Sequence, residues 1–247
     1  MVRLLQKIFF QLKKLGSIVS DGFYRRALYH GSAAGVEHER ILRLLNCDTV
    51  VDIGANRGQF ALVARKCFPK AQIISFEPLE LPTEIYRGVF LKDKNAQLFP
   101  FAIGPECGDR KIHISKRDDS SSLLPITLLQ DALFPGTAEV TTDSIRIGPL
   151  DSFIVAERIT KPALLKLDVQ GFELSALHGC ETLLGNFDYV YAECSFVELY
   201  SGQALAHEII QYLRDRGFDL RGIYNLTYDD RGACIQADFL FSYRAGG

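Results

Sequence analysis

Val50-Val51-Asp52-Ile53-Gly54-Ala55-Asn56-Arg57-Gly58 joins an apolar run to a short loop bounded by glycines. A run of this length, closed by turn residues, reads as a strand buried on both faces. Gly54 and Gly58 permit a tight backbone path, and glycine lets the main chain approach a ligand closely. A helical pattern over Gln59 to Cys67 starts directly after them. Strand, loop and helix in this order form one unit of an α/β sheet.

The units that follow repeat the alternation. Candidate strands are Thr49 to Ile53, Gln72 to Glu77, Ala96 to Ile103, Ala163 to Val169 and Tyr189 to Cys194, with helices over Gln59 to Cys67, Leu79 to Leu91 and Phe172 to Leu184. Interleaving of this kind predicts a doubly wound, Rossmann-like sheet that is mostly parallel, with ligands bound at the carboxyl ends of its strands. The end of the chain departs from the pattern. A helix from Gln203 to Arg216 precedes two strand-like runs, Gly222 to Tyr228 and Ile235 to Tyr243, joined by Asp229-Asp230-Arg231-Gly232, which predicts an antiparallel C-terminal hairpin. Residues 104–149, rich in Gly, Pro and Ser, read as an edge hairpin plus a long loop of the kind that often carries function. Before the first strand a helical stretch covers Ala34 to Leu45, so the expected organisation is an N-terminal helical extension, 1–46, and one domain, 47–247.

Composition narrows the function classes. The 247 residues are 47% hydrophobic and 23% charged, with 28 Lys plus Arg against 30 Asp plus Glu, and a net charge of −2 gives no general attraction for nucleic acid. The six cysteines are scattered without a C-x-x-C pair, which speaks against a zinc site and for a reducing, cytoplasmic setting. The five histidines are scattered too, and His113 and His178 read as structural. No tight cluster of ligating residues predicts a metal. At the N-terminus, Arg3, Lys7, Lys13 and Lys14 alternate with Leu4, Leu5, Ile8, Phe9, Leu12, Leu15 and Val19 at helical spacing, and the longest apolar run is too short to span a bilayer. Residues 1–20 therefore suit peripheral contact with an anionic membrane, at the inner face, or packing on the domain or in an oligomer.

Two acids flank the glycine loop with separate implications. Glu77 ends the second strand, where a carboxylate can accept both hydroxyls of a ribose, so the pair of features fits an adenosine cofactor. A dinucleotide loop needs G-x-G-x-x-G, and Asn56 stands at its second glycine, which disfavours a pyrophosphate. Asp52, two residues before Gly54, suits a cationic amino group such as that of S-adenosylmethionine.

The motifs together resemble the FkbM-type methyltransferases. Their ordered pattern is matched by Asp52 to Gly58, Phe76-Glu77-Pro78, Ala102-Ile103-Gly104, Ser120-Ser121-Ser122, Leu150-Asp151 and Lys166 to Glu173, spanning residues 48–195. The resemblance implies an S-adenosylmethionine-dependent O-methyltransferase acting on a small-molecule, sugar or glycolipid hydroxyl. It places Asp52, Gly54, Ala55, Asn56 and Gly58 at the methionine end of the cofactor, Glu77 with Pro78 at the ribose, and Ala102 with Ile103 at the adenine. Gln170 replaces the family's first glutamate in the Lys166–Glu173 motif. The amide still donates and accepts hydrogen bonds, yet the change leaves an alternative standing, a non-catalytic cofactor-binding or assembly domain.

Methyl transfer to a hydroxyl is helped by a base that removes the proton. Alternation along Ala163 to Val169 puts Leu164, Lys166 and Asp168 on one face, and two charges on a buried strand require partners. Asp168 is the candidate base, against a purely structural pair of Lys166 with Asp168 or Glu173. Glu193, ending the fifth strand, is the second catalytic candidate, positioned to bind acceptor hydroxyls or a metal, the latter without a tight acidic cluster to support it.

Overall fold

The computed structural model describes residues 16 and 18–244, so most of the basic N-terminal stretch lies outside the described residues. Seven helices and ten strands are named here in chain order. They are α1 (Gly22–Tyr29), α2 (Glu39–Leu42), β1 (Thr49–Ile53), α3 (Gln59–Cys67), β2 (Gln72–Phe76), α4 (Glu80–Phe90), β3 (Ala96–Phe99), β4 (Ala102–Ile103), β5 (Gly108–Ser115), α5 (Leu128–Leu133), β6 (Glu139–Gly148), β7 (Ala163–Leu167), α6 (Glu173–Gly179), β8 (Tyr189–Ser195), α7 (Ala206–Asp215), β9 (Phe218–Tyr228) and β10 (Cys234–Tyr243).

The main sheet has seven strands in the order β3-β2-β1-β7-β8-β10-β9. The first five pair in parallel and the last two join antiparallel, as the sequence pattern predicts for a Rossmann-like sheet with a C-terminal hairpin. β1 and β7 are buried along their whole length, so each residue faces one of two apolar layers. On one side Val51, Ile53, Leu165 and Leu167 pack with α6 and α7. On the other Val50 and Leu164 meet Phe60 to Ala64 of α3, and Tyr24, Ala27, Ile41 and Leu42 from the N-terminal helices enter the same cluster. Among the described residues no helix is long and apolar enough to cross a membrane.

Three local readings change. The run Ala96 to Ile103 is two strands, because Pro100 has no amide hydrogen to give to the sheet and the chain folds back as Phe101 N–H donates to Phe99 O at 2.9 Å. β4 then leaves the main sheet and pairs with β6, and β5 pairs with β6 on the other side, so the expected edge hairpin belongs to a separate three-stranded sheet, β4-β6-β5. The helical stretch over Ala34 to Leu45 is a 3-10 turn, Val36–His38, followed by the single turn of α2.

Register builds one further feature. Ser75, Asp52, Lys166 and Tyr191 are successive partners across β2, β1, β7 and β8, and Glu193 is paired with Asp238 one step further along β8. Partners in a ladder share a face, so a polar row crosses an otherwise apolar sheet beneath α3.

Candidate active site

Parallel strands end in loops that diverge where the strand order reverses, here between β1 and β7. The two loops touch there. A Cβ on Gly54, whose φ is +79°, would lie 1.9 Å from the Asp168 carbonyl oxygen. Gly54 N–H and Ala55 N–H both donate to Phe76 O at 3.0 Å, and Asp168 N–H donates to Ile53 O at 3.1 Å. The crossing holds open a cavity of 420 Å³ above it, within the size range of small-molecule and cofactor sites.

Gly54, Ala55, Asn56, Glu77, Pro78, Ala102, Ile103 and Asp168 line this cavity together. Glu77 is 5% exposed and accepts from Asn56 N–H at 2.9 Å and Leu79 N–H at 2.8 Å. Burial pushes its carboxyl up to about 7 against those two donors. Beyond Glu77 the walls turn apolar, with Leu79, Phe101, Ala102, Ile103 and Phe172 around one end. Gln59 also lines the cavity, and its buried Oε1 has no hydrogen-bond partner among the described residues. A carboxylate beside a glycine loop, an apolar slot and an unsatisfied acceptor fit a ligand that combines ribose hydroxyls with a flat base.

Three of the residues singled out in the sequence lie outside the lining. Asp52 is fully buried beneath the loop, 3.2 Å from Lys166 Nζ and without a hydrogen bond to either oxygen. Gly58 begins α3 in the left-handed region, against Tyr86 and Phe90. Glu193 is held behind the cavity, where its carboxylate accepts from Gln236 Nε2 at 2.6 Å and Gln170 Nε2 at 3.2 Å. Burial raises the Glu193 carboxyl well above the ordinary carboxylate range, and the nearby Asp168, Asp238 and Glu173 add to it.

Lys166 collects the charge at the floor. Its Nζ lies 3.2 Å from Asp52 Oδ1 and 3.6 Å from Asp168 Oδ2, and donates to Gly54 O at 3.2 Å. Burial works to neutralise the ammonium, and the Asp52 and Asp168 carboxylates reverse that effect and hold it cationic above the ordinary lysine range. Burial also pushes the Asp52 carboxyl up, against the pull of Lys166. The other expected partner, Glu173, accepts instead from Val169 N–H at 3.0 Å and Gly171 N–H at 3.2 Å, which closes the turn before α6.

Gln170, in the left-handed region at φ 54°, bridges the acids. Its Nε2 donates to Asp168 Oδ1 at 2.7 Å and reaches Glu193, while its Oε1 accepts from the Tyr200 hydroxyl at 2.7 Å. Its backbone oxygen accepts from Ser122 Oγ at 2.6 Å, fastening the serine cluster over the cavity. A second tie joins the same segment to the glycine loop, since Arg57 donates from Nε and Nη2 to Asp118 Oδ2 at 2.9 and 2.6 Å.

Sequence reasoning missed His38, Gln59, Phe60 and Gln236, which line the cavity beside Lys166 and Asp168. They come from three separate segments and no local pattern marks them. His113 pairs with Glu139 at 2.8 Å and the His178 ring packs on Tyr212, as structural residues do. All six cysteines are free, and no group of three or more metal-ligating side chains converges among the described residues.

Residues 52–220 match the family model for the methyltransferase FkbM domain. The chain is 28% identical over 189 residues to the 2-O-methyltransferase NoeI of Sinorhizobium fredii, covering 71% of this chain and 76% of that protein. It is 26% identical over 181 residues to the hexuronic acid methyltransferase AglP of Haloferax volcanii, covering 69% of each. The solved structure of precorrin-6y C5,15-methyltransferase from Geobacter metallireducens aligns over 84% of this chain and 87% of its own at 9% identity, with a TM-score of 0.46.

Proposed function

The chain belongs to the FkbM methyltransferase family, and from that premise we propose that it transfers a methyl group from S-adenosylmethionine to a hydroxyl of a sugar, free or lipid-linked. When bound, S-adenosylmethionine supplies an electrophilic sulfonium methyl. The protein's part is to align the acceptor oxygen behind that methyl and to keep water out.

The observation that carries the reading is Glu77 beside the Gly54–Asn56 loop, with the Ala102–Ile103 slot beyond it. In this reading Glu77 accepts the ribose hydroxyls, Ala102 and Ile103 flank the adenine, and Gly54, Ala55 and Asn56 present main chain to the methionine part. Asp52 acts through Lys166, not by direct contact. Gly58 sets the start of α3, and Pro78 shapes the wall after Glu77. Asp168 faces the acceptor end, where its carboxylate receives the hydroxyl's hydrogen bond, and Glu193 supports it through Gln170. The polar residues at that end, Lys166, Asp168, Gln170 and Gln236, suit a polyhydroxylated acceptor.

Calorimetric titration with S-adenosylmethionine, S-adenosylhomocysteine and NAD tests the donor. Affinity for both sulfur compounds and none for NAD is expected, and the reverse refutes the reading. Transfer of labelled methyl to a methyl hexuronoside tests the acceptor class, and binding without transfer to any sugar favours a non-catalytic role. Deleting residues 1–20 is expected to reduce sedimentation with anionic vesicles, and unchanged sedimentation removes the membrane-contact proposal.

A further inference from the structure

Within the same cavity, the 3-10 turn Val36–His38 and strands β8, β9 and β10 bring four polar side chains to one point. His38 Nδ1 lies 3.1 Å from the Tyr191 hydroxyl oxygen, 3.4 Å from Asp238 Oδ2 and 3.3 Å from Asn225 Nδ2. The Tyr191 hydroxyl donates to Asp238 Oδ2 at 3.0 Å, and Asn225 Nδ2 donates to the same oxygen at 2.7 Å and reaches the Tyr191 hydroxyl at 3.4 Å. We infer that His38 is the base that takes the acceptor's hydroxyl proton, with Asp238, Tyr191 and Asn225 as the residues that position it; the inference rests on the methyltransferase reading above.

The hydrogen-bond inventory sets the tautomer. An ionised Asp238 accepts only, and the Tyr191 proton is spent on it, so the Tyr191 oxygen is left to accept. Nδ1 therefore carries the ring proton, donating toward Tyr191 and Asp238, and Nε2 keeps its lone pair. No described residue hydrogen-bonds Nε2, although the ring lines the cavity with 16% of its side chain exposed. An imidazole whose far nitrogen is fixed by a carboxylate and whose near nitrogen is free is the arrangement used to remove a proton from a hydroxyl.

The ring is also held sterically. It meets Phe60 at 5.3 Å and Tyr191 at 5.6 Å, both edge to face. The 3-10 turn that carries it is anchored where Gly35 N–H donates to Gln59 O at 3.0 Å. A Cβ at Gly35 would lie 3.0 Å from the ring's Cδ2, so glycine is what leaves room for this rotamer. Lys166 Nζ lies 5.4 Å from the centre of the same Phe60 ring. The charged or titratable groups acting with His38 are Asp238 on β10 and Tyr191 on β8, within hydrogen-bond reach, and Asp52 on β1, at longer range.

Asp168 differs in being shared by a cation and an amide donor. It orients the hydroxyl, and His38 removes its proton. The step balances without another reactant. The acceptor O–H bond breaks as its proton moves to Nε2, the oxygen's electron pair closes on the methyl carbon, and the carbon–sulfur pair stays on sulfur, which becomes a neutral thioether. The imidazolium then returns its proton to water.

The test uses the full chain, S-adenosylhomocysteine calorimetry, labelled-methyl transfer to a methyl hexuronoside, and long-range proton–nitrogen NMR of the histidine rings. His38→Gln is expected to lower kcat at least about 100-fold while leaving S-adenosylhomocysteine affinity within about threefold. Asp168→Asn is expected to act mainly on the acceptor KM. In the unliganded wild type the neutral His38 ring should be the Nδ1–H form, and Asp238→Asn should mix the tautomers and lower kcat at least about tenfold. His38→Gln with wild-type kcat, or a wild-type ring protonated at Nε2 and not at Nδ1, overturns the inference, and the NMR result stands whether or not the chosen sugar is methylated. Absence of S-adenosylhomocysteine binding in the wild type overturns the donor reading instead.

Discussion

Replacing Lys166 with methionine isolates the electrostatics at the centre of the sheet. Asp52 is 0% exposed, and Lys166 is the one cation within 4 Å of it among the described residues. Removing one partner of a buried pair leaves an uncompensated charge and costs about 3–5 kcal/mol. The variant can lower that cost by binding a proton at Asp52. Starting from the ordinary value of 3.8, keeping that proton at about pH 7 spans roughly 3 pH units at about 1.4 kcal/mol each, or about 4 kcal/mol. The two routes give the same magnitude. The native variant then binds one more proton than its unfolded chain, so its stability rises as pH falls, and at about pH 5 the loss relative to wild type shrinks to roughly 2 kcal/mol. Urea denaturation followed by circular dichroism at the two pH values measures this recovery. The double variant Asp52→Asn/Lys166→Met is expected to regain most of the stability and to lose the added pH dependence. A loss that does not change with pH, or a double variant no more stable than Lys166→Met, refutes the reasoning.

Other expectations follow from single contacts. Gly54→Ala puts a Cβ 1.9 Å from a backbone oxygen at φ +79°, and the strain of that conformation with the forced separation of the two loops costs about 2 kcal/mol or more; chemical denaturation should show it, with S-adenosylhomocysteine affinity down at least about tenfold. Because burial pushes Glu77 up to about 7, its carboxylate form, which the proposal assigns to the ribose hydroxyls, grows as pH rises; calorimetry should find affinity increasing roughly tenfold between about pH 6 and pH 8, and Glu77→Gln should flatten the slope. The same raised Glu77 favours the folded state below the ordinary carboxylate value, a contribution lost as pH rises through about 7. Asp118→Asn removes the partially exposed Arg57 pair and should change stability by about 1 kcal/mol or less, while stopped-flow release of S-adenosylhomocysteine speeds up several-fold.

The parts of this molecule that were legible in the sequence are those written in local pattern. β1 and α3 are a hydrophobic run and an amphipathic run separated by glycines, so their bounds agree with the sequence reading to the residue. The parts that were not legible depend on register. Nothing near Asp52 tells that Lys166, 114 positions later, becomes its neighbour, because that follows from β1 pairing with β7 and from the pleat placing both on one face. The same holds for His38, which sits in a short turn and meets Tyr191 and Asp238 only because β8 and β10 are adjacent. Pro100 lies inside the run read as a single strand, and whether β4 returned to the main sheet or founded a second one depended on where β6 lay.

Gln170 deserves its place in the network for a reason that its hydrogen bonds imply. The family resemblance has a glutamate at this position, and a glutamate here would converge with Asp168 and Glu193. Three carboxyl groups so close can form a bridge only while at least one of them holds a proton, so the bridge would come and go with the acidity of the medium. The hydrogens of an amide are bound to nitrogen and do not titrate. With Gln170 the links to Asp168 and Glu193 are made by a permanent donor. In the proposed mechanism the carboxylate offered to the acceptor thereby keeps a hydrogen-bond donor that does not itself titrate, and the acid limb of turnover is left to whichever group carries the proton away.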